Sequence, residues 1–246
     1  MSDIAHHGRR GRLIAAAATV LLLAGILALV IGVRAQRHAP QPPASAAIPY
    51  VSSAPVQGGS SGGTSSASTG SASTSPVPRT SAGPASKGPV LAHSVPTHLD
   101  IPAISVSSTL QQLGLNSDRT VQVPPLEKDS HAGWYKYSPT PGQLGPAVIL
   151  GHVDSAQYGP GVFFRLGALR PGNTLTVTRS DHTAAVFRID RVVSYPKDHF
   201  PTLEVYGNTD HAALRLITCG GKFDLSSHNY EDNIVAYAAL ISSHPA

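Results

Sequence analysis

The stretch from Gln57 to Pro89, QGGSSGGTSSASTGSASTSPVPRTSAGPASKGP, constrains this chain more than any other. Ser, Gly, Thr, Ala and Pro dominate it, so it carries too little large apolar surface to offset the entropy of ordering its backbone. Similar composition runs from about His38 to His93, and the chain therefore cannot fold as one body. Gly (23) and Pro (21) together supply 44 of 246 residues, a share too large for a single compact globule. We assign 34–93 to a disordered linker; as a flexible coil its 56 residues from His38 to His93 would reach about 40 Å root-mean-square. What remains is an N-terminal piece and a C-terminal piece, 94–246, of ordinary size for one domain.

The N-terminal piece contains Leu13 to Val33, 21 positions without a charge. At 1.5 Å per residue a helix of that length crosses a hydrocarbon core of about 30 Å. Residues 13–33 are expected to form a transmembrane anchor in contact with lipid, with 1–12 as a short cytoplasmic N-terminus. Arg9, Arg10 and Arg12 before the run and Arg34 and Arg37 after it give only a slim positive-inside bias. A cleaved signal peptide is the competing reading, with Val33-Arg34-Ala35 as its processing site. The apolar run exceeds the roughly 7 to 15 residues usual for a signal core, which favours the uncleaved anchor. The expected location is therefore the cell membrane, single-pass, with the folded domain on the outer side.

The C-terminal piece reads as strands. THLDIPAISV alternates and breaks at proline, PAVILGHV is an apolar β-branched run, and NTLTVTRS and TAAVFRIDRVVSYP alternate. AALRLITC and DNIVAYAALIS close the chain. Six or more short strands between Gly, Pro, Asn and Asp turns predict an all-β barrel or sandwich. Helix is confined to single turns near GVFFRLGAL and PTLEVYG, and no internal repeat is present. A net charge of +4 comes from scattered Lys and Arg, with no basic run of the kind that binds nucleic acid.

The chain's one cysteine, Cys219, ends an apolar strand pattern directly before Gly220-Gly221, where the spacing predicts a turn. Free cysteine is often a small core residue. In an exported domain an unpaired thiol is more readily explained as a nucleophile, which needs a base or cation beside it. Of 12 histidines, His152 stands out because it closes the run Val148-Ile149-Leu150 beyond Gly151; His211 and His228 compete by lying nearer to Cys219 in sequence. His152 and Asp154 could be two ligands of a metal, but no third ligand follows by spacing. The chain has no G-x-S-x-G elbow, no H-E-x-x-H and no Gly-rich phosphate loop.

PAVILGHVDS, followed by GVFFRLGALRPGN, LRLITCGGKFD and YEDNIVAYAAL, resembles the sortases of Gram-positive bacteria, most closely the class F type found in actinobacteria. LDIPAISVSSTLQQLGL and HAGWYKYSPTPGQLGPAVI extend the resemblance over nearly all of the domain. It implies a closed eight-stranded β-barrel with short helices. It further implies a cysteine transpeptidase of the hydrolase class, in which Cys219 attacks the Thr carbonyl of an L-P-x-T-G-like sorting signal. His152 would protonate the departing Gly amine. Surface proteins bearing the signal would be the substrates, and a peptidoglycan precursor or pilin amine the acceptor. No cofactor or metal is implied, and a monomer is expected.

One departure stands out. Sortases usually carry an Arg on the strand after the Cys; this chain has none after Cys219. Aligning YEDNIVAYA puts that slot on Glu231, with Asn233 the neutral alternative whose amide could donate a hydrogen bond. Arg165 or Arg215 could supply the charge from elsewhere. Asn233 is the expected stand-in, and Thr218, Gly220 and Arg165 are expected to contact substrate. Two other readings compete. An L,D-transpeptidase would need His two residues before the Cys, where Ile217 stands. A sortase-like binding module without catalysis would account for the missing Arg. Asp198 and Glu204 are too few for a Ca²⁺ site of about six to eight oxygens.

Overall fold

The computed structural model describes residues 39–43 and 87–246. The expected anchor, 13–33, and most of the expected linker lie outside the described residues. Among those described, no helix is long and apolar enough to cross a membrane.

Ten strands follow in order: β1 (Pro96–Ile101), β2 (Val106–Leu113), β3 (Ala132–Tyr135), β4 (Gly145–Leu150), β5 (Asp154–Ser155), β6 (Gly159–Pro160), β7 (Thr174–Arg179), β8 (Thr183–Pro196), β9 (Ala212–Asp224) and β10 (Asn229–Pro245). Eight of them close into a barrel in the order β1-β2-β3-β4-β9-β10-β8-β7, while β5 and β6 pair as a small separate hairpin. Among the described residues, helix is limited to short 3-10 turns such as Leu166–Ala168 and one five-residue helix, α1 (Thr202–Tyr206). The all-β closed barrel expected from the sequence is present, and both helical turns fall where the sequence put them.

Period-two alternation divides β4, β8, β9 and β10 between two cores. Ala147 and Ile149 of β4, Ala212, Leu214 and Leu216 of β9, and Ile234, Ala236 and Ala238 of β10 fill the interior together with Leu99, Leu175 and Phe187. Val148, Ile217, Val235 and Tyr237 point the other way and join Val193, Tyr195 and Val205 in a second cluster outside the barrel. The segment 197–206 covers that outer cluster. In β8 the inward set 185, 187, 189 changes parity to 192, where the register with β10 slips between Tyr237↔Arg191 and Ala238↔Ile189. This bulge at Asp190 lets a 14-residue strand curve around the barrel.

Two details depart from the sequence reading. β9 does not turn at Gly220-Gly221 but runs on to Asp224. There Gly221 and Lys222 oppose the single residue Glu231, because Gly220 pairs with Asp232 and Phe223 with Tyr230. Gly221 has φ +75°, a conformation glycine adopts without steric cost, so the pair forms a bulge within a strand. The second concerns the expected linker. Its described residues hydrogen-bond to the barrel: the Lys87 amide donates to the Asp210 carbonyl (2.7 Å), the Leu91 amide to the Gly142 carbonyl (2.8 Å), and Arg179 to the Ala92 carbonyl.

Candidate active site

β4 and β9 are parallel neighbours, and Leu150 pairs with Ile217. The Gly151 amide continues the ladder by donating to the Ile217 carbonyl (3.1 Å). Carried on by the same offset, the register would bring His152 level with Cys219, 67 residues later in the sequence. His211 instead immediately precedes β9, eight residues before Cys219, about 26 Å away along an extended strand. His228 sits in the turn between β9 and β10 with φ +52°. The register therefore favours His152 among the three.

His152 is half buried and its ring is oriented by one bond. Its Nε2 lies 2.7 Å from the Pro124 carbonyl in the β2–β3 connection. A carbonyl only accepts, so Nε2 carries the hydrogen and Nδ1 is the nitrogen left to exchange a proton. The backbone at His152 is held as well, its carbonyl accepting from the Phe163 amide (3.0 Å). Gly161 lies directly against that carbonyl, where a Cβ would collide with it.

Cys219 is half buried on the outer face of β9, two residues beyond Ile217 of the outer cluster. Lys197, the first residue after β8, places Nζ 3.6 Å from its Sγ and donates to Asn229 Oδ1 at 2.7 Å. Tyr230 donates its hydroxyl to Asp154 Oδ2 (2.7 Å), tying the β5–β6 hairpin to the start of β10. Burial, reinforced by that carboxylate, holds the Tyr230 phenol above its ordinary range. Asp154 is thus engaged by a phenol, and no cluster of three or more metal-ligating side chains occurs among the described residues.

The family model for the sortase domain matches residues 99–241, more than half of the chain. The chain belongs to the sortase family. Membership implies a cysteine transpeptidase, and Cys219 is its one cysteine. Solved structures that match include sortase A of Listeria monocytogenes (15% identity, 63% of this chain and 92% of that chain, TM-score 0.46). A sortase D5 transpeptidase of Clostridium perfringens matches at 19% identity, 61% and 79% coverage and TM-score 0.44. Sortase C of Streptococcus pneumoniae matches at 16% identity, 61% and 68% coverage and TM-score 0.46. No curated protein gives a significant match.

Within this sortase barrel the remaining candidates separate. Asn233 is the direct cross-strand partner of Cys219 and so shares its face. Glu231, the residue aligned with the family's Arg, is the exposed one opposite the Gly221-Lys222 bulge. Thr218, expected to contact substrate, is turned by alternation away from Cys219 and toward Ile234, and its buried Oγ1 has no partner among the described residues. Arg165 is exposed at the start of the Leu166–Ala168 turn. Arg215 is buried, its guanidinium 4.5 Å from the Tyr237 ring, and desolvation pulls its pKa below the usual arginine value.

Farther along the outer face, Glu204 of α1 accepts from Arg191 Nη2 (2.6 Å) and from the Tyr195 hydroxyl (3.1 Å), which itself lies 3.0 Å from the Tyr237 hydroxyl. This network pins α1 across β8 and β10. On the other side of Cys219, the short stretch 39–43 touches the sortase barrel. Gln41 Oε1 accepts from the Gly221 amide at 2.9 Å, and the Pro40 carbonyl rests against Gly167. Gly220, whose Cβ position would stand 3.3 Å from Gln41 Oε1, lies under this strap. No sequence motif pointed to the strap or to Lys197.

Proposed function

We propose that this protein is a membrane-anchored, class F-like sortase that cleaves an L-P-x-T-G-like signal and joins it to an amine of a peptidoglycan precursor or pilin. The observation that supports the reading is the parallel register of β4 and β9, which pairs Leu150 with Ile217 and, extended by two residues, brings His152 toward Cys219. The Cys219 sulfur, its proton passed to His152, attacks the Thr carbonyl carbon and forms a C–S bond. The tetrahedral adduct collapses with cleavage of the C–N bond, and the leaving Gly amine takes a proton from His152. In the second half an acceptor amine attacks the thioester carbon and gives its proton back to His152. A C–N bond replaces the C–S bond and the free thiol returns. One amide is exchanged for another, so the reaction requires no oxidant and no cofactor. With Nε2–H donated to Pro124, the proton moves through Nδ1. Asn233 and the backbone at Gly220 stand beside Cys219 as donors to the substrate carbonyl chain, while the Leu13–Val33 segment holds the enzyme at the membrane.

The test is mass spectrometry of the full chain incubated with a library of L-x-x-T-G-like peptides and a small amine. A peptidyl adduct of Cys219, absent in Cys219→Ala and slowed in His152→Ala, is the expected result. A folded chain that forms no adduct with any peptide would replace this reading with a sortase-like binding module. The absence of Arg after Cys219 is the observation that favours that second reading.

A further inference from the structure

A thiol nucleophile works best beside a positive charge, which stabilises the thiolate and then the oxyanion that forms on attack. The strand that follows Cys219 supplies no Arg. Arg215 lies on the same strand four residues away, about 13 Å in extended chain, and its guanidinium is spent on the Tyr237 ring. Arg165 is exposed at the start of a separate turn.

We propose that Lys197 is a catalytic residue of this sortase, providing at the reacting sulfur the positive charge otherwise supplied by an arginine. The proposal rests on the transpeptidase reading above. Its geometry follows from strand order. β10 lies between β8 and β9, with Pro196 opposite Asp232, and Asn233 opposite Cys219. The chain leaving β8 at Lys197 therefore passes the end of β10, and a long side chain reaches across it to the sulfur.

The head of Lys197 is positioned rather than loose. Asn229 Oδ1 accepts from Nζ and also from the Tyr230 amide (2.9 Å), which fixes the amide oxygen that holds the lysine. An ammonium has three N–H donors. One points at Asn229 and one at Sγ, which leaves the third for the carbonyl oxygen of a substrate joined to that sulfur. Lysine acts here as a compact point charge, without the two-pronged grip of a guanidinium, and it moves no proton. Other ionisable groups near this end of β9 are Tyr230, which acts on Cys219 electrostatically and is hydrogen-bonded to Asp154, His152 beyond β4, Asp232 opposite Gly220, and Lys222 and Glu231 at the bulge.

The experiment is alkylation of Cys219 by iodoacetamide in the full chain from about pH 5 to 10, a range that spans ordinary His and Cys titration. It compares wild type, Lys197→Met and Lys197→Arg, with Cys219→Ala as blank and circular dichroism as the check on folding. In Lys197→Met the rate–pH profile is expected to move to higher pH, and adduct formation with a reactive peptide to slow by about 100-fold, the loss typical of one oxyanion donor. Lys197→Arg is expected to restore both to within about tenfold, since it keeps the charge. An alkylation profile in folded Lys197→Met that superimposes on wild type overturns the proposal. Alkylation needs no sorting signal, so peptides that never react would sink the transpeptidase reading while leaving this outcome legible.

Discussion

Asn233 on β10 stands directly opposite Cys219 on β9. The pair is lateral, so the Asn233 amide can meet a substrate carbonyl lying along the strand face, whereas Lys197 reaches the sulfur itself. Asn233→Ala is therefore expected to lower kcat/KM about tenfold, the cost of roughly one neutral hydrogen bond, and to leave the alkylation profile of Cys219 in place. Steady-state kinetics set beside alkylation would show the split. A shifted alkylation profile in Asn233→Ala would assign the amide to the thiol instead.

Thr218 offers the opposite kind of test. Its hydroxyl is buried without a partner among the described residues, and an unmet buried polar group typically costs about 1–3 kcal/mol. Thr218→Val keeps the shape and removes the hydroxyl, so thermal unfolding is expected to show a gain of about 1 kcal/mol with adduct formation unchanged. Loss of adduct formation at retained stability would return Thr218 to the substrate face.

Gly161 supports His152 from behind. A methyl group there meets the His152 carbonyl, which is backbone and cannot swing aside. Gly161→Ala is expected to cost about 1–3 kcal/mol in stability, as overpacking does. Adduct formation should fall by at least about tenfold, in line with the sensitivity of catalysis to small displacements of a reacting group. Unfolding curves and adduct rates measured on one preparation check both, and an unaffected rate would mean that the ring does not depend on this backbone contact.

Four phenols, Tyr195, Tyr206, Tyr230 and Tyr237, are held above the ordinary tyrosine range, in each case chiefly by burial. Folding thus favours the neutral phenol. The stability this lends is fully present below about pH 10, the unfolded value, and is lost as pH rises beyond it. Phenolate absorbance from these four is expected to grow in together with loss of circular dichroism at alkaline pH. A plateau of ionised tyrosines in a still-folded barrel would contradict it.

Much of the fold was legible because most strands alternate cleanly; TAAVFRIDRVVSYP coincides with β8 from end to end. β3 was not, since Ala132-Gly133-Trp134-Tyr135 holds a glycine and its pairing with β2 is parallel and non-local. Cys219 and His152 were singled out by their motifs. Lys197 was not, because it lies 22 residues from Cys219 and meets it only across an intervening strand. Counting cross-strand partners from Asn233 back to Tyr195 and Pro196 would have found it, but that count needs the sheet order. The Gly220-Gly221 pair looked like a turn because glycine marks turns and bulges alike. Composition, likewise, hid the contact-making residues 39–43 and 87–93 inside a stretch that reads as linker.

The bond between Gln41 and Gly221 joins points 180 residues apart, and Lys87 is paired with Asp210 at 2.8 Å at the far end of the Ser/Gly run. Residues that read as linker by composition therefore supply part of the folded surface. A domain cut at residue 94 would lose the Gln41 partner of the Gly221 amide and the Lys87 partner of Asp210 together.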